Sequence, residues 1–207
     1  NGPYATYLMA LGGAEVIKIE PPGGEPLRKR GVVGGAALPF AMLNGGKASV
    51  VLDLKTEDGK AALIDLIRTA DVIVENFAPG VMDRLGVGWE LLHAVNPKLI
   101  YASSSGYGRD GPYAAFPAMD LTIQAMGGVM HTTGFADRPP VKAGPAMADF
   151  FAGIHLYGAI ATALYHREHT GVARRVEVSM QDAVYASLSS SLGMYWSTKG
   201  ESPARTG

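Results

Sequence analysis

Apolar and polar side chains alternate with period two along Ala14-Glu15-Val16-Ile17-Lys18-Ile19-Glu20, which predicts a strand. Tyr4 to Leu11, just before it, is apolar enough for a buried helix, and Gly12-Gly13 ends that helix. Pro21-Pro22-Gly23-Gly24 breaks regular structure, and Glu25 to Leu38, with Gly31, Gly34 and Gly35, reads as a long surface loop. Ser49 to Leu54 is a second strand. Thr56 then caps a helix over Glu57 to Thr69, whose Ala62, Leu63, Leu66 and Ile67 share one face. Asp71 to Glu75 and Leu99 to Ser103 are two more strands, with short helices around Met82 to Leu85 and Trp89 to Val95 between them.

Beyond the glycines of the 106–111 stretch, Asp120 to Met130 has the pattern of a short helix. A long one runs from Asp149 to about His169 and stops at Gly171. Arg175 to Ser179 is a strand and Gln181 to Ser197 a helix, with Ser187 to Ser191 a small-residue packing face inside it. Strands that alternate with helical segments favour parallel pairing through crossover helices, so the expected architecture is an α/β, Rossmann-like, doubly wound and mainly parallel sheet. The 207 residues suit one domain, and the abrupt start at Asn1 and stop at Gly207 read as cut ends.

Composition narrows the function more than the fold. A net charge of -1 provides no global field for nucleic acid or an anionic membrane, so an anionic ligand must be held by local groups. The apolar run from Phe150 to Leu164 falls short of a bilayer span, and no membrane segment is expected. The absence of cysteine removes disulfides and thiolate nucleophiles and fits a cytoplasmic setting. The histidines, His93, His131, His155, His166 and His169, form no convincing ligand pair; His166 and His169 belong to a polar helix end, and no metal is expected. Ser103-Ser104-Ser105-Gly106 lacks the strained elbow of a serine nucleophile and is read as strand-end packing.

Short motifs recur in a fixed order: Asn1-Gly2-Pro3-Tyr4, Gly13 to Gly23, Asn44-Gly45-Gly46-Lys47, Leu52-Asp53-Leu54-Lys55 and Ala70 to Phe77. Arg84-Leu85-Gly86, Asn96 to Tyr101, Gly106-Tyr107-Gly108, Gly111-Pro112 and Gln124-Ala125-Met126-Gly127-Gly128 follow. The ordered set resembles the class III CoA-transferases from end to end. That resemblance implies that residues 1–207 are most of a CoA-binding large domain, with a smaller second domain beyond and an interlocked homodimer. It also implies coenzyme A thioesters and small carboxylic acids as substrates.

The family's nucleophilic carboxylate matches Asp149 in Gly144-Pro145-Ala146-Met147-Ala148-Asp149, with Gly153 following. On sequence alone Asp149 reads equally as the N-cap of the helix it precedes, and a helix start would also favour its ionised form. The resemblance places CoA contacts at Leu52, Lys55, Asn76, Phe77 and Arg84. Lys55 and Arg84 read as phosphate partners or as solvated surface charges. Pro21 replaces a basic residue found in some members, and Arg28, Lys29 and Arg30 stand nearby to substitute for it.

Met119 and Asp120 bear on which activity the chain has and join the ligand-contact set. The α-methylacyl-CoA racemases of the same family have a His where Met119 stands, and a thioether exchanges no protons near neutral pH. Transferase members often have Tyr there. Asp120 either lines the site or caps a helix starting at Leu121. The expected function is therefore CoA transfer through Asp149, with racemisation and non-catalytic CoA binding as alternatives.

Overall fold

The computed structural model describes residues 1–205; Thr206 and Gly207, part of the end read as cut, lie outside the described residues. In chain order the elements are α1 (Gly2–Leu11), β1 (Ile17–Glu20), a 3-10 turn (Pro26–Lys29), β2 (Val32–Val33), β3 (Ala36–Ala37), α2 (Leu38–Asn44) and β4 (Ala48–Val51). Then come α3 (Glu57–Ile67), β5 (Val72–Glu75), α4 (Val81–Arg84), α5 (Trp89–Val95), β6 (Ile100–Ser105) and α6 (Asp120–Met126). A 3-10 turn (Met130–Thr132), α7 (Met147–Thr170), β7 (Arg175–Ser179), α8 (Met180–Ser187) and α9 (Ser189–Ser197) complete the series.

The long strands pair in parallel, as their helical connections require. β1 pairs with β4, Ile17 opposite Ala48, and β6 lies between β5 and β7, with Val72 opposite Ile100 and Tyr101 opposite Arg175. Helices cover both faces. Ile73 and Tyr101 pack with Leu63, Ile67 and Leu92 of α3 and α5, whereas Val72, Val74 and Ala102 pack with Ala5 of α1 and Leu156 and Ile160 of α7. Neighbouring residues on one strand thus serve opposite cores, as a pleated strand covered on both faces must. Thr56 caps α3 as its position predicted, its hydroxyl accepting from Gly59 N at 3.1 Å.

Several local readings change. The 25–38 stretch is not one loop: it holds the first 3-10 turn and the β2–β3 hairpin, and Leu38 already begins α2. The last helical stretch breaks at Leu188, and Ser187, Ser189 and Ser190 are exposed instead of forming a packing face. Arg28 is not free to take an anionic ligand. Its guanidinium donates twice to Glu20, each at 2.6 Å, and lies 3.9 Å over the Phe40 ring. α7 is 24 residues long, enough in length and apolar content to cross a bilayer. Its buried stripe of Ala148, Ala152, Leu156, Ile160 and Ala163 instead packs within the α/β core.

Glu20 is 1% exposed, and Arg28, with Ser49 and the Glu25 N–H adding hydrogen bonds, holds its pKa down to about 2. Since the folded pKa is depressed, this stabilisation is fully present above the ordinary carboxylate range and is lost as pH falls towards about 2. Glu20→Gln is expected to lower the urea midpoint at neutral pH. The gap from the parent should close as both are titrated from about pH 5 towards pH 2.

Candidate active site

The first turn of α7 has backbone N–H groups with no partner inside the helix, and its N-cap residue, Ala146, provides no side-chain acceptor. Asp120 provides it from α6: its Oδ1 accepts from Ala148 N at 2.8 Å and from Asp149 N at 3.2 Å. This corrects two expectations. Asp149 is the third residue of α7 and not its cap, and Asp120 caps a neighbouring helix instead of one starting at Leu121.

Gln124, fully buried one turn along α6, completes the arrangement. Its Nε2 donates to Asp120 Oδ2 at 2.7 Å and to Pro145 O at 3.2 Å, while its Oε1 accepts from Ala143 N at 2.8 Å. One side chain therefore ties Asp120 to the strand of loop that leads into α7. Sequence reading noted Gln124 within a motif but assigned it no role. The available signal was an Asp and a Gln at i and i+4 on a helix, a spacing that brings the two side chains together.

With its backbone held from behind, the Asp149 side chain stays 40% exposed, and its Oδ1 accepts from the backbone nitrogen of Asn1 at 3.0 Å. Asn1 caps α1 by accepting from Gly2 N at 2.6 Å. The close crossing of α1 and α7 depends on Gly153, where a Cβ would lie 3.0 Å from both Asn1 O and Tyr4 Cδ1. Asn76 flanks the same turn, since a Cβ on Gly2 would lie 2.9 Å from Asn76 Oδ1.

Asn76 and Asp149 thus flank the start of α1, and Asp120 lies behind Asp149 at the first turn of α7. Met119 stands beside them as the N-cap residue of α6, 75% exposed, with its N–H donating to Thr122 Oγ1 at 2.8 Å. The remaining ligand-contact residues follow β4 and β5, in loops or, for Arg84, in α4. Leu52 is half-buried just after β4, and the turn beyond it is closed by Lys55 N and Thr56 N donating to Asp53, which leaves the Lys55 side chain in solvent. Gly59 permits this turn: a Cβ there would overlap Asp53 O. Phe77 is exposed beyond β5, its N–H donating to Glu75 Oε2 at 2.9 Å, and Arg84 is exposed at the end of α4.

Ionisable groups are unusually placed beneath that loop. Burial, more than any neighbour, raises the pKa of Glu75, with the Phe77 N–H and Arg109 opposing it; burial and then Glu75 push the Tyr101 phenol up. Burial also raises Glu177, against the Arg109 backbone bond and charge. Ser103 and Ser104 are buried within β6, consistent with packing. Two shallow grooves of about 400 Å³ lie elsewhere, along α7, β7 and α8, lined among others by His155, His166 and Glu177. Asp149 lines neither of them.

Comparison with known proteins decides the family. CoA-transferase family III matches residues 1–207. This chain belongs to CoA-transferase family III. It is 49% identical over 210 residues to the acetyl-CoA:oxalate CoA-transferase of Acetobacter aceti, covering all of this chain and 54% of that protein. It is 48% identical over 186 residues to the formyl-CoA:oxalate CoA-transferase of Streptomyces coelicolor, covering 89% of this chain and 45% of that protein. The family III chain described here thus spans about half the length of the curated relatives it matches. Among solved structures, a CaiB/BaiF family protein from Brucella suis superposes with a TM-score of 0.94 at 39% identity, over 99% of this chain and 56% of that one. Rv3272 from Mycobacterium tuberculosis gives 0.89 at 38% identity, over 95% and 56%. The α/β fold and the parallel strand pairing expected of the family are present.

Proposed function

We propose that this chain supplies the CoA-binding surface and the nucleophile of an acyl-CoA:carboxylate CoA-transferase, with Asp149 as the attacking group. One observation carries the reading: Asp149 is held by its backbone through Asp120 while its carboxylate stays open to solvent. A carboxylate fixed in position but accessible is what covalent transfer needs.

In the proposed cycle an Asp149 oxygen attacks the thioester carbonyl, the C–S bond breaks, and CoA leaves as its thiolate. The thiolate then attacks the Asp149 carbonyl of the mixed anhydride and releases the donor acid as a carboxylate. The acceptor carboxylate displaces CoA from the resulting aspartyl thioester, and the thiolate attacks the acyl carbonyl of the second anhydride. Product acyl-CoA departs and the Asp149 carboxylate is restored. Leu52, Lys55, Asn76, Phe77, Arg84, Met119 and Asp120 form the surface along which CoA lies, with Lys55 and Arg84 facing its phosphates. The intermediates hydrolyse readily, so the open side of Asp149 must be covered, and a second domain and an interlocked partner subunit are the proposed cover.

The named relatives use oxalate with acetyl-CoA or formyl-CoA. Short dicarboxylates are accordingly the proposed acceptors, in a cytoplasmic enzyme. Racemisation is disfavoured by Met119, a side chain that carries no exchangeable proton. The test is to incubate the full-length protein with acetyl-CoA or formyl-CoA and hydroxylamine, then map the hydroxamate by mass spectrometry. The expected label is on Asp149 and depends on acyl-CoA. A label elsewhere, or exchange of the α-proton of a 2-methylacyl-CoA with solvent in the absence of transfer, overturns the proposal.

A further inference from the structure

Lys47 extends its side chain from the turn that joins α2 to β4 and ends among three neutral oxygens. Its Nζ donates to Pro3 O at 2.8 Å, Thr6 Oγ1 at 2.9 Å and Asn44 Oδ1 at 3.0 Å. An ammonium has three donors, and all three are used. The acceptors are themselves fixed: Thr6 Oγ1 donates to Gly2 O and Pro3 O, and the buried Asn44 donates to Phe40 O at 3.0 Å.

As a device for stability this is a poor one. None of the three acceptors is a carboxylate, and burial, followed by the charge of Lys18 on β1, pulls the pKa of Lys47 down to about 8 against a smaller opposing effect of Glu25. Two of the acceptors belong to the first turns of α1, where the helix dipole opposes a cation. A charged group that gains little by its surroundings but is saturated by well-formed bonds fixes geometry more than it adds stability. What it fixes is the turn that crosses α7 closely at Gly153, one turn on from Asp149, and that sets Gly2 against Asn76.

We propose that Lys47 is a positioning residue for CoA transfer, which pins the first turn of α1 where it crosses α7 at Gly153 and so holds the wall beside the Asp149 carboxylate in place. The inference rests on Asp149 being the nucleophile. Lys47 itself touches neither Asp149 nor a residue assigned to CoA, and of the assigned residues Asn76 alone is placed against the pinned turn, so loss of Lys47 is expected to act more on the chemical step than on ligand affinity.

The experiment compares Lys47→Met, which keeps length and apolar bulk without donors, with Thr6→Val and Asp149→Asn in the full-length enzyme. In folded Lys47→Met, kcat and the rate of hydroxylamine trapping at Asp149 are expected to fall about 10- to 100-fold, with KM for acyl-CoA unchanged within about twofold. Thr6→Val removes one of the three acceptors and is expected to show a smaller loss of the same kind, about three- to tenfold; it decides the matter if Lys47→Met does not fold. A kcat within about twofold of the parent in the folded variants, beside an inactive Asp149→Asn, overturns the role of Lys47 alone. A rise in KM with kcat unchanged also overturns it. Full activity in Asp149→Asn overturns the nucleophile and, with it, the reason for pinning α1.

Discussion

Asp149→Asn is expected to lower kcat for CoA transfer by about a thousandfold or more, with secondary structure and thermal midpoint close to those of the parent. The amide keeps the size of the carboxylate and retains an oxygen that can accept from Asn1 N, now 3.0 Å away. What it loses is the anionic oxygen proposed to attack the thioester. Asp149→Glu makes the complementary case: it keeps the charge but moves it by one methylene, past the Asn1 nitrogen and out of register with the first turn of α7. Misplacement on that scale is expected to cost about a hundredfold in kcat. Steady-state transfer from acetyl-CoA to oxalate measures both, and acyl-CoA-dependent trapping should vanish in the Asn variant. Retention of more than about a tenth of the parent kcat by Asp149→Asn would rule the residue out as nucleophile.

The sequence carried much of the fold because its strands and helices announce themselves locally. β5 and β6 are apolar on both sides, α3 has Thr56 at its start, and α7 ends at Gly171 with φ 72°, where only glycine is at ease. α2 escaped notice for the same kind of reason. It is 7 residues long, begins at Leu38-Pro39 without a side-chain cap, and is held by contacts with α1 and the first 3-10 turn. No local signal separates such a helix from a loop. Arg28 shows the limit at single residues. Three adjacent basic side chains look alike in sequence, and only the fold reveals that Glu20 and Ser49 come within reach of Arg28.

The candidate site divides in the same way. Periodicity put Asp149 at a helix start, and resemblance, not pattern, separated nucleophile from cap. The structure removes that ambiguity as regards the cap, since the acceptor for the first N–H groups of α7 comes from Asp120. A contact between residues 28 or more positions apart has no trace in local spacing. Nor could spacing show that the Asn1 nitrogen and the Asp149 carboxylate meet, because their meeting depends on the close crossing of α1 and α7 at Gly153.

Asp120→Ala is expected to destabilise the fold by about 2–4 kcal/mol and to lower kcat beyond what the loss of folded protein explains. The substitution strands three donors together: Ala148 N, on a fully buried residue, Asp149 N, and Gln124 Nε2. Asp120→Asn separates capping from the network. The amide oxygen can still accept from Ala148 N and Asp149 N, but its NH2 then faces the NH2 of Gln124. Turning Gln124 over does not relieve this, because its Oε1 already accepts from Ala143 N and its Nε2 donates to Pro145 O. Asp120→Asn is therefore expected to cost about 1–2 kcal/mol, less than Asp120→Ala. The double variant Asp120→Asn with Gln124→Glu restores a donor–acceptor pair between the two side chains, but sets an anionic oxygen against Pro145 O at a fully buried position, so its loss is expected to be smaller than the sum of the single losses without returning to the parent. Urea unfolding of the parent, Asp120→Asn, Gln124→Glu alone and the double variant measures the coupling, and a double-variant loss equal to the sum of the single losses would show that Gln124 does not hold Asp120. If the network is what positions Asp149, kcat follows the same order as stability among the folded variants, with Asp120→Ala lowest.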